Sequence, residues 1–377
     1  MPSDPQLRQS PLDDRHRALD ATMTGFGGWD MPLDYGTVVA EHRAVREGCG
    51  VFDLSHLGTL RVTGPGAEST LQQALTNDVS KLVPGRAHYT LCLDGGGGIT
   101  DDLLVYRLDW GFFVVPNAAN ASAVRAAIDA CGDRAERDVA DVKADLACLA
   151  IQGPDAADVV TAAGVDVSDM AYLDVGPLEL ASPDAEPGRS LDDGPVPGGG
   201  VLARSGYTGE RGYELFCDAA VAGSLWDRVL AAGAAPAGLG ARDTLRLEMG
   251  YPLHGQDISP ATSPVDAPLG WAVKPGTGFT GEDAYVAAKE AGPQRRLRGL
   301  RVLGRGIPRA RCTVRRDGSD VGETTSGTFS PTLRLGIALG YLDPAIQTGD
   351  RVEIDVRGKS LPAEVVRPPF VDRDPKA

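Results

Sequence analysis

Apolar and polar positions along the chain follow a helical period in some stretches and a strand period in others. Val39–Glu47 reads as a helix that Gly48 and Gly50 end, and Ala67–Leu75 as one with Leu71 and Leu75 a turn apart. Ala219–Ala232 keeps Val221, Leu225 and Val229 in register. Gly238-Leu239-Gly240 leads into a helix through Met249, with Gly250 placed as its stop. A helix opening after Pro116–Asn120 presents Val124, Ile128 and Cys131 on one stripe. Thr59–Thr63 and Leu146–Gly153 read as strands, and Tyr106–Leu108 with Phe112–Val115 as a hairpin turning at Asp109-Trp110-Gly111. An amphipathic patch spans Pro11–Leu19, and Phe26–Tyr35 reads as a loop rich in aromatics and glycine. Ser182–Gly200, poor in apolar residues, reads as an exposed loop.

Beyond about Ala291 the helical period stops. Arg296–Leu303, Cys312–Arg316, Asp320–Gly327, Ile337–Leu342, Val352–Val356 and Leu361–Val366 are short strands separated by turns such as Asp317-Gly318. The pattern predicts a body over 1–290 and a small all-β barrel or sandwich over 291–377, divided at Gly292-Pro293.

The densest candidate chemistry is Gly95-Gly96-Gly97-Gly98-Ile99-Thr100-Asp101-Asp102, a glycine turn that delivers two acids onto a strand running through Tyr106. The uneven alternation of Leu103, Val105 and Leu108 suggests burial on both faces. Side chains alternate along a strand, so Asp101 and Asp102 point in opposite directions: one can face a cavity while the other anchors the turn. The same pattern also suits a tight hairpin with two solvated aspartates. A phosphate loop is excluded, because the stretch lacks the Lys and Ser/Thr that such a loop uses. His56 beside Ser55 and Asp53 does not make a hydrolytic triad, since adjacent strand positions cannot converge and no Gly-x-Ser-x-Gly elbow is present; a hydrogen-bonded structural histidine is expected.

Three further positions carry open alternatives. Asn117 or Asn120 suits a helix N-cap, or Asn117 a site amide. In Arg204–Leu215 the glycines at 206, 209 and 212 bracket Tyr207 and put Glu214 on the departing strand, either as an exposed edge acid or as a buried carboxylate awaiting paired N–H donors. Arg242 in a first helical turn opposes the helix dipole, which favours a specific use.

Composition narrows the classes. The chain of 377 residues has a formal charge of −15, which disfavours non-specific nucleic-acid binding and anionic membrane surfaces. Residues 291–377 hold 16 Lys/Arg against 10 Asp/Glu, so the barrel module is a candidate dock for an acidic partner through Arg296 and Arg298. Six scattered cysteines without a Cys-x-x-Cys pair and five histidines without ligand spacing point to no metal site. No signal pattern or membrane-length apolar run is seen, and the chain is expected to be soluble and cytoplasmic.

A set of short motifs in fixed order resembles the glycine cleavage system T-protein family of aminomethyltransferases: Phe26–Tyr35, Phe52–Gly58, Thr76-Asn77-Asp78-Val79, Gly97–Tyr106, Val114–Asn120, Ile151–Pro154, Gly206–Leu215, Gly238–Glu248, Leu253–Asp257, Gly270–Lys274 and Thr325–Leu333. The resemblance implies an α+β fold, a three-domain cloverleaf around a folate channel with a C-terminal β-barrel. It implies tetrahydrofolate as co-substrate and the lipoylated H protein as partner, the methylene of an aminomethyl group passing from the lipoyl arm to folate with release of ammonia. It assigns catalysis to Asp102 and folate binding to Tyr89, Asp101, Asn117, Tyr207, Glu214 and Arg242. Leu57, Leu93-Asp94 and His254 depart from the family's usual residues. The Lys-Gly-Cys-x-x-Gly-Gln motif of the related iron–sulfur assembly protein is absent; the spot reads Arg246-Leu247-Glu248-Met249-Gly250. A folate-dependent demethylase of a small methylated substrate is the alternative.

Overall fold

Two sheets, each apolar on both faces, dictate a layered body. Phe112 and Phe113 show the principle: on one strand, Phe112 packs outward against helices while Phe113 packs inward against the second sheet. The computed structural model describes residues 7–180, 196–197 and 199–376. The expected loop at Ser182–Gly200 therefore lies largely outside the described residues.

The first sheet is antiparallel throughout, in the order Arg86–Leu93, Ile99–Leu108, Gly111–Val115, Leu60–Thr63, Asp138–Asp141. Helices Ala67–Ala74 and Ala121–Asp129 cover its outer face through Leu71, Val124 and Ile128. The second sheet runs Val175–Pro177, Gly200–Ala203, Gly212–Asp218, Leu146–Gln152, Gly50–Asp53, Ala235–Pro236. Helices Ala156–Ala162 and Ala222–Ala231 cover it through Val160, Leu225 and Trp226. Between the sheets Phe52, Tyr106, Phe113 and Phe216 form an aromatic core.

The six C-terminal strands close into a barrel in the order Arg296–Val302, Leu335–Leu342, Ser319–Ser330, Thr313–Arg316, Arg351–Val356, Lys359–Val366. Its Leu297, Ile337, Leu339 and Tyr341 pack on Leu247 of the helix Leu239–Met249. The same helix buries Glu248, which accepts from Ser330, Thr332 and Arg46, and Arg246, which donates to Asp257 and Ser326. Arg296 and Arg298, expected as an exposed dock, are half-buried, with Nε atoms enclosed and unpartnered among the described residues.

One local expectation needs correction. Phe26–Tyr35 is not a loop: Thr22–Phe26 and Trp29–Asp34 form a hairpin turning on Gly27 and Gly28, whose φ of 57° and 85° suit a tight turn. The strand Ile99–Leu108 does pack on both faces, Leu103 and Val105 with one core and Leu104, Tyr106 and Leu108 with the other, its inner face half-buried as far as Leu104.

Candidate active site

The acids arrive on the inner sheet through a turn built by a third acid. Asp94 Oδ1 accepts the backbone N–H groups of Gly96 (2.8 Å) and Gly98 (3.0 Å). Gly97 has φ 80°, and a Cβ on Gly98 would lie 1.9 Å from the Pro260 carbonyl oxygen, so no larger residue fits there undisturbed. The turn is thus held by Asp94, not by either member of the acid pair.

Strand alternation then divides the pair. Asp101 shares the outer face with Leu103 and Val105 and is fully buried. Its carboxylate accepts the Asn117 backbone N–H (3.0 Å), the Asn117 amide (2.8 Å) and the Asn120 amide (2.7 Å). Burial still pushes it up to about 6 against those donors. Asp101 therefore pins the loop that opens the Ala121–Asp129 helix. Asn120 is the N-cap residue, yet its side chain serves Asp101 and makes no capping bond.

Asp102 lies on the inner face with Leu104 and Tyr106, half-buried. Tyr89 donates its hydroxyl to Oδ2 (2.9 Å), and the Asn117 amide reaches Oδ1 (3.2 Å) and the Asp102 carbonyl (3.0 Å). Burial first, then the neighbouring Asp101 charge, pushes Asp102 up to about 7; Tyr89, His254 and Asn117 pull the other way. The Tyr89 phenol is driven well above its ordinary range by burial and by Asp102, so it stays a donor. Its ring stacks on Trp271 at 5.1 Å and 22°.

Across the gap, Glu214 is 6% exposed on a strand flanked on both sides, opposite Ala150 and Ala203. It is not an exposed edge acid. Tyr106 donates to its Oε2 (3.3 Å), as does Ser205, so the Asp102 strand and the Glu214 strand are tied across one space. Tyr207 donates its hydroxyl to the Pro252 carbonyl and stacks on Tyr251 at 5.6 Å. The Arg242 guanidinium sits 4.8 Å from the Tyr207 ring centroid, and its buried Nη1 has no partner among the described residues. Burial pulls Arg242 down, while the Glu214 charge opposes this. Burial pushes the Tyr207 phenol up, and the Asp102 charge acts in the same direction while Arg242 opposes it.

Direct contacts join Tyr89, Asp102, Asn117 and Asp101 in one cluster and Tyr207 with Arg242 in another, while Glu214 is held by Tyr106 of the Asp102 strand. The contacts missed from sequence are those of Tyr106 and Ser205 on Glu214 and of Trp271 on Tyr89; Asp94 was marked only as a departure from the family, and its hold on the turn was not read. His254 donates Nε2–H to the Ile99 carbonyl (3.0 Å), beside the acid strand. His56 is buried against Phe26, and its Nδ1 has no partner among the described residues; the expected hydrogen-bonded role is not seen at that atom. Burial, then the Arg242 charge, pulls His56 down to about 3, so it is neutral. Among the described residues no group of three or more His, Cys, Asp and Glu is arranged to hold a metal ion.

A buried carboxylate accepts paired N–H donors at one edge, and the unpartnered Arg242 Nη1 awaits an acceptor. Asp102 stands ready for a cationic centre.

Residues 12–277 match the family described as the GCVT N-terminal domain, and residues 295–372 match the glycine cleavage T-protein C-terminal barrel domain. The chain is 47% identical to the aminomethyltransferase of Mycobacterium avium, covering 98% of this chain and 99% of that one. It is 49% identical to the aminomethyltransferase of a Parafrankia species, covering 98% and 100%. The crystal structure of glycine cleavage system aminomethyltransferase T from Bartonella henselae superposes with a TM-score of 0.89 at 34% identity, covering 98% and 99%.

Proposed function

The chain belongs to the glycine cleavage T-protein family of tetrahydrofolate-dependent aminomethyltransferases, and from that premise we propose how its residues divide the work. The observation that carries the reading is that Tyr106, on the strand of half-buried Asp102, donates to buried Glu214, while the buried Nη1 of Arg242 has no partner among the described residues.

Tetrahydrofolate supplies the nucleophilic nitrogens that take the one-carbon unit. Glu214, fixed by Ser205 and Tyr106, accepts the N–H edge of its aminopyrimidine, and Arg242 answers an acceptor on the same substrate. Tyr207, clamped by Tyr251 and Arg242, offers a rigid aromatic face. Asp102 faces the carbon in transit. As the C–N bond of the aminomethyl group breaks, ammonia leaves and positive charge grows on that carbon, which a fixed carboxylate stabilises. Tyr89 and Asn117 hold the carboxylate, and Asp101 holds Asn117, so it acts one residue removed from the substrate.

The aminomethyl group arrives as a thioether-like adduct on the lipoyl arm of the H protein. Its C–N bond breaks with loss of ammonia, and its C–S bond breaks to leave the arm as dihydrolipoyl, already at that oxidation level. The methylene carbon forms bonds to two folate nitrogens, giving 5,10-methylenetetrahydrofolate. The body over 1–290 carries this chemistry; the barrel over 291–377 braces the helix that bears Arg242. Among the described residues no helix is long and apolar enough to cross a membrane, and the cytoplasm is the proposed location.

The test is ammonia release from aminomethyl-loaded H protein with and without tetrahydrofolate. Folate-stimulated release is expected. Folate binding without release from H protein would contradict the reading.

A further inference from the structure

Among the described residues beyond 291, the half-buried arginines are Arg296, Arg298, Arg315, Arg316 and Arg373. Three of them answer carboxylates: Arg315 bonds Asp320 and Asp355, Arg316 bonds Asp350, and Arg373 reaches Glu210. Arg296 and Arg298 have no acidic partner among the described residues, and the Nε of each is enclosed without a hydrogen-bond partner there. Asp266, whose carbonyl accepts the Leu297 N–H between them, has its carboxylate occupied by Arg295 at 3.8 Å and by the Gln294 N–H at 3.0 Å. An enclosed donor left without an acceptor is costly and neighbouring cations repel, so this pair calls for a partner.

Register sets where the pair points. On the strand Arg296–Val302, Arg296, Arg298 and Leu300 stand opposite Leu342, Gly340 and Ala338 of the neighbouring strand. Directly paired residues share a sheet face, and Leu300, Ala338 and Leu342 belong to the barrel core, so both arginines lie on the inward face. The alternate residue Leu297 packs outward with Leu247 of the helix. Residues two apart on a strand are separated by about 7 Å, and Gly340 puts no side chain opposite Arg298. On the other flank the strand Lys359–Val366 ends with Val366 opposite Gly299, so pairing there stops short of Arg298 and Arg296. The pair therefore lies at an open end of the barrel. Arg367, exposed and without an acidic partner among the described residues, is the first residue past that end.

Burial, then the Arg296 charge, pulls Arg298 down from the ordinary guanidinium range. A bound anion would oppose both effects, giving the enclosed N–H groups an acceptor and placing negative charge beside two like cations. Each guanidinium presents a planar fork of donors. Two forks on adjacent inward positions suit a compact tetrahedral anion, whose oxygens can serve both, whereas the two oxygens of a carboxylate saturate one fork. We propose that Arg296 and Arg298, with Arg367 at the rim, form a binding site for a phosphate or phosphoryl group at the open end of the barrel. None of the channel residues takes part in it, and it is independent of the functional reading above. It is a local cationic spot on a chain of formal charge −15.

The test titrates inorganic phosphate into the full chain, by calorimetry and by thermal unfolding, with chloride at equal ionic strength as the control. Phosphate should raise the wild-type melting temperature beyond chloride, because the site exists only in the folded chain. Arg298→Gln and Arg296→Gln should each weaken phosphate binding by about tenfold or more, as loss of a charge-assisted hydrogen bond implies. In chloride alone Arg298→Gln should melt at or above wild type, since it removes one of two unpartnered like charges; in saturating phosphate the order should reverse. Glycerol 3-phosphate separates the sources. Binding tighter than that of inorganic phosphate assigns the site to a phosphoryl group on a larger ligand, and equal or weaker binding assigns it to free phosphate. Acetate should give no gain over chloride. A wild type that gains nothing from phosphate over chloride would overturn the inference, and so would acetate matching phosphate. A phosphate gain kept in both variants would place the anion elsewhere. Variants that melt below wild type by the same margin in both salts would make the arginines structural, which also defeats the proposal.

Discussion

Removing one hydroxyl, in Tyr89→Phe, separates the electrostatic role of Asp102 from mere shape. The phenol donates to Oδ2 at 2.9 Å and favours the ionised carboxylate, which burial and Asp101 disfavour. A hydrogen bond to a charged group contributes about 1.5–3 kcal/mol, so at 1.36 kcal/mol per pH unit its loss should raise Asp102 by about 1–2 units. Starting from about 7, the ionised fraction at pH 7 falls from about one half to between roughly a tenth and a hundredth. Because the carboxylate must be ionised to act, activity is lost as pH falls through this value and restored above it. The variant should therefore be slowed about 5- to 50-fold at pH 7 and should approach wild type on the alkaline plateau. The assay is ammonia release from loaded H protein at saturating tetrahydrofolate, from pH 5.5 to about 9.5. Asp101 and Asp102 interact, so the acid limb belongs to the pair. An equal loss at every pH, with the limb unmoved, would refute the electrostatic account and leave only positioning.

Other consequences follow from neighbouring contacts. Arg242→Met should weaken tetrahydrofolate binding by about 10- to 100-fold, as loss of one charged hydrogen bond implies. It should change the melting temperature little, because loss of the guanidinium's contact with the Tyr207 ring is offset by removal of a buried nitrogen that has no partner; calorimetric titration and thermal unfolding check the two halves. Gly98→Ala should destabilise by about 1–3 kcal/mol through the clash with the Pro260 carbonyl and should displace the acids, read by urea unfolding and activity together. Glu248 is pushed up by burial but pulled down to about 2 by His42, Ser330 and Arg46. Its folded value is depressed, so its contribution is present above the unfolded carboxylate range and is lost as pH falls toward 2. Glu248→Gln should flatten the acid limb of stability and lower the plateau by about 3–5 kcal/mol, the cost of breaking a buried pair.

Much of this was legible in the chain because local signals and tertiary demands agreed. The six barrel strands show as short apolar runs between turns, and Gly250 ends its helix at φ 70°. The opposite directions of Asp101 and Asp102 follow from strand alternation alone. Which acid faces the channel does not, because that depends on which sheet face the helices Ala67–Ala74 and Ala121–Asp129 cover. Glu214 could not be told from an edge acid, since its burial is conferred by Gly200–Ala203 and Leu146–Gln152 pairing on either side. The hairpin over Thr22–Asp34 was hidden by its aromatic residues, although Gly27-Gly28 between two apolar runs was a usable turn signal. Trp271 next to Tyr89 left no trace at all: the contact joins residues 182 positions apart. The family resemblance implied roles for Asp101 and Asn117 but could not show that the one bonds the other.

The most direct test of the central claim is Asp102→Asn, which keeps the shape and removes the charge. Folate-stimulated ammonia release from loaded H protein should collapse by about 10²-fold or more, the scale for losing one preorganised electrostatic partner. Tetrahydrofolate affinity should change little, since the proposal assigns the ligand to Glu214 and Arg242. A variant that keeps release within a few-fold of wild type would contradict the assignment of Asp102 and the mechanism built on it.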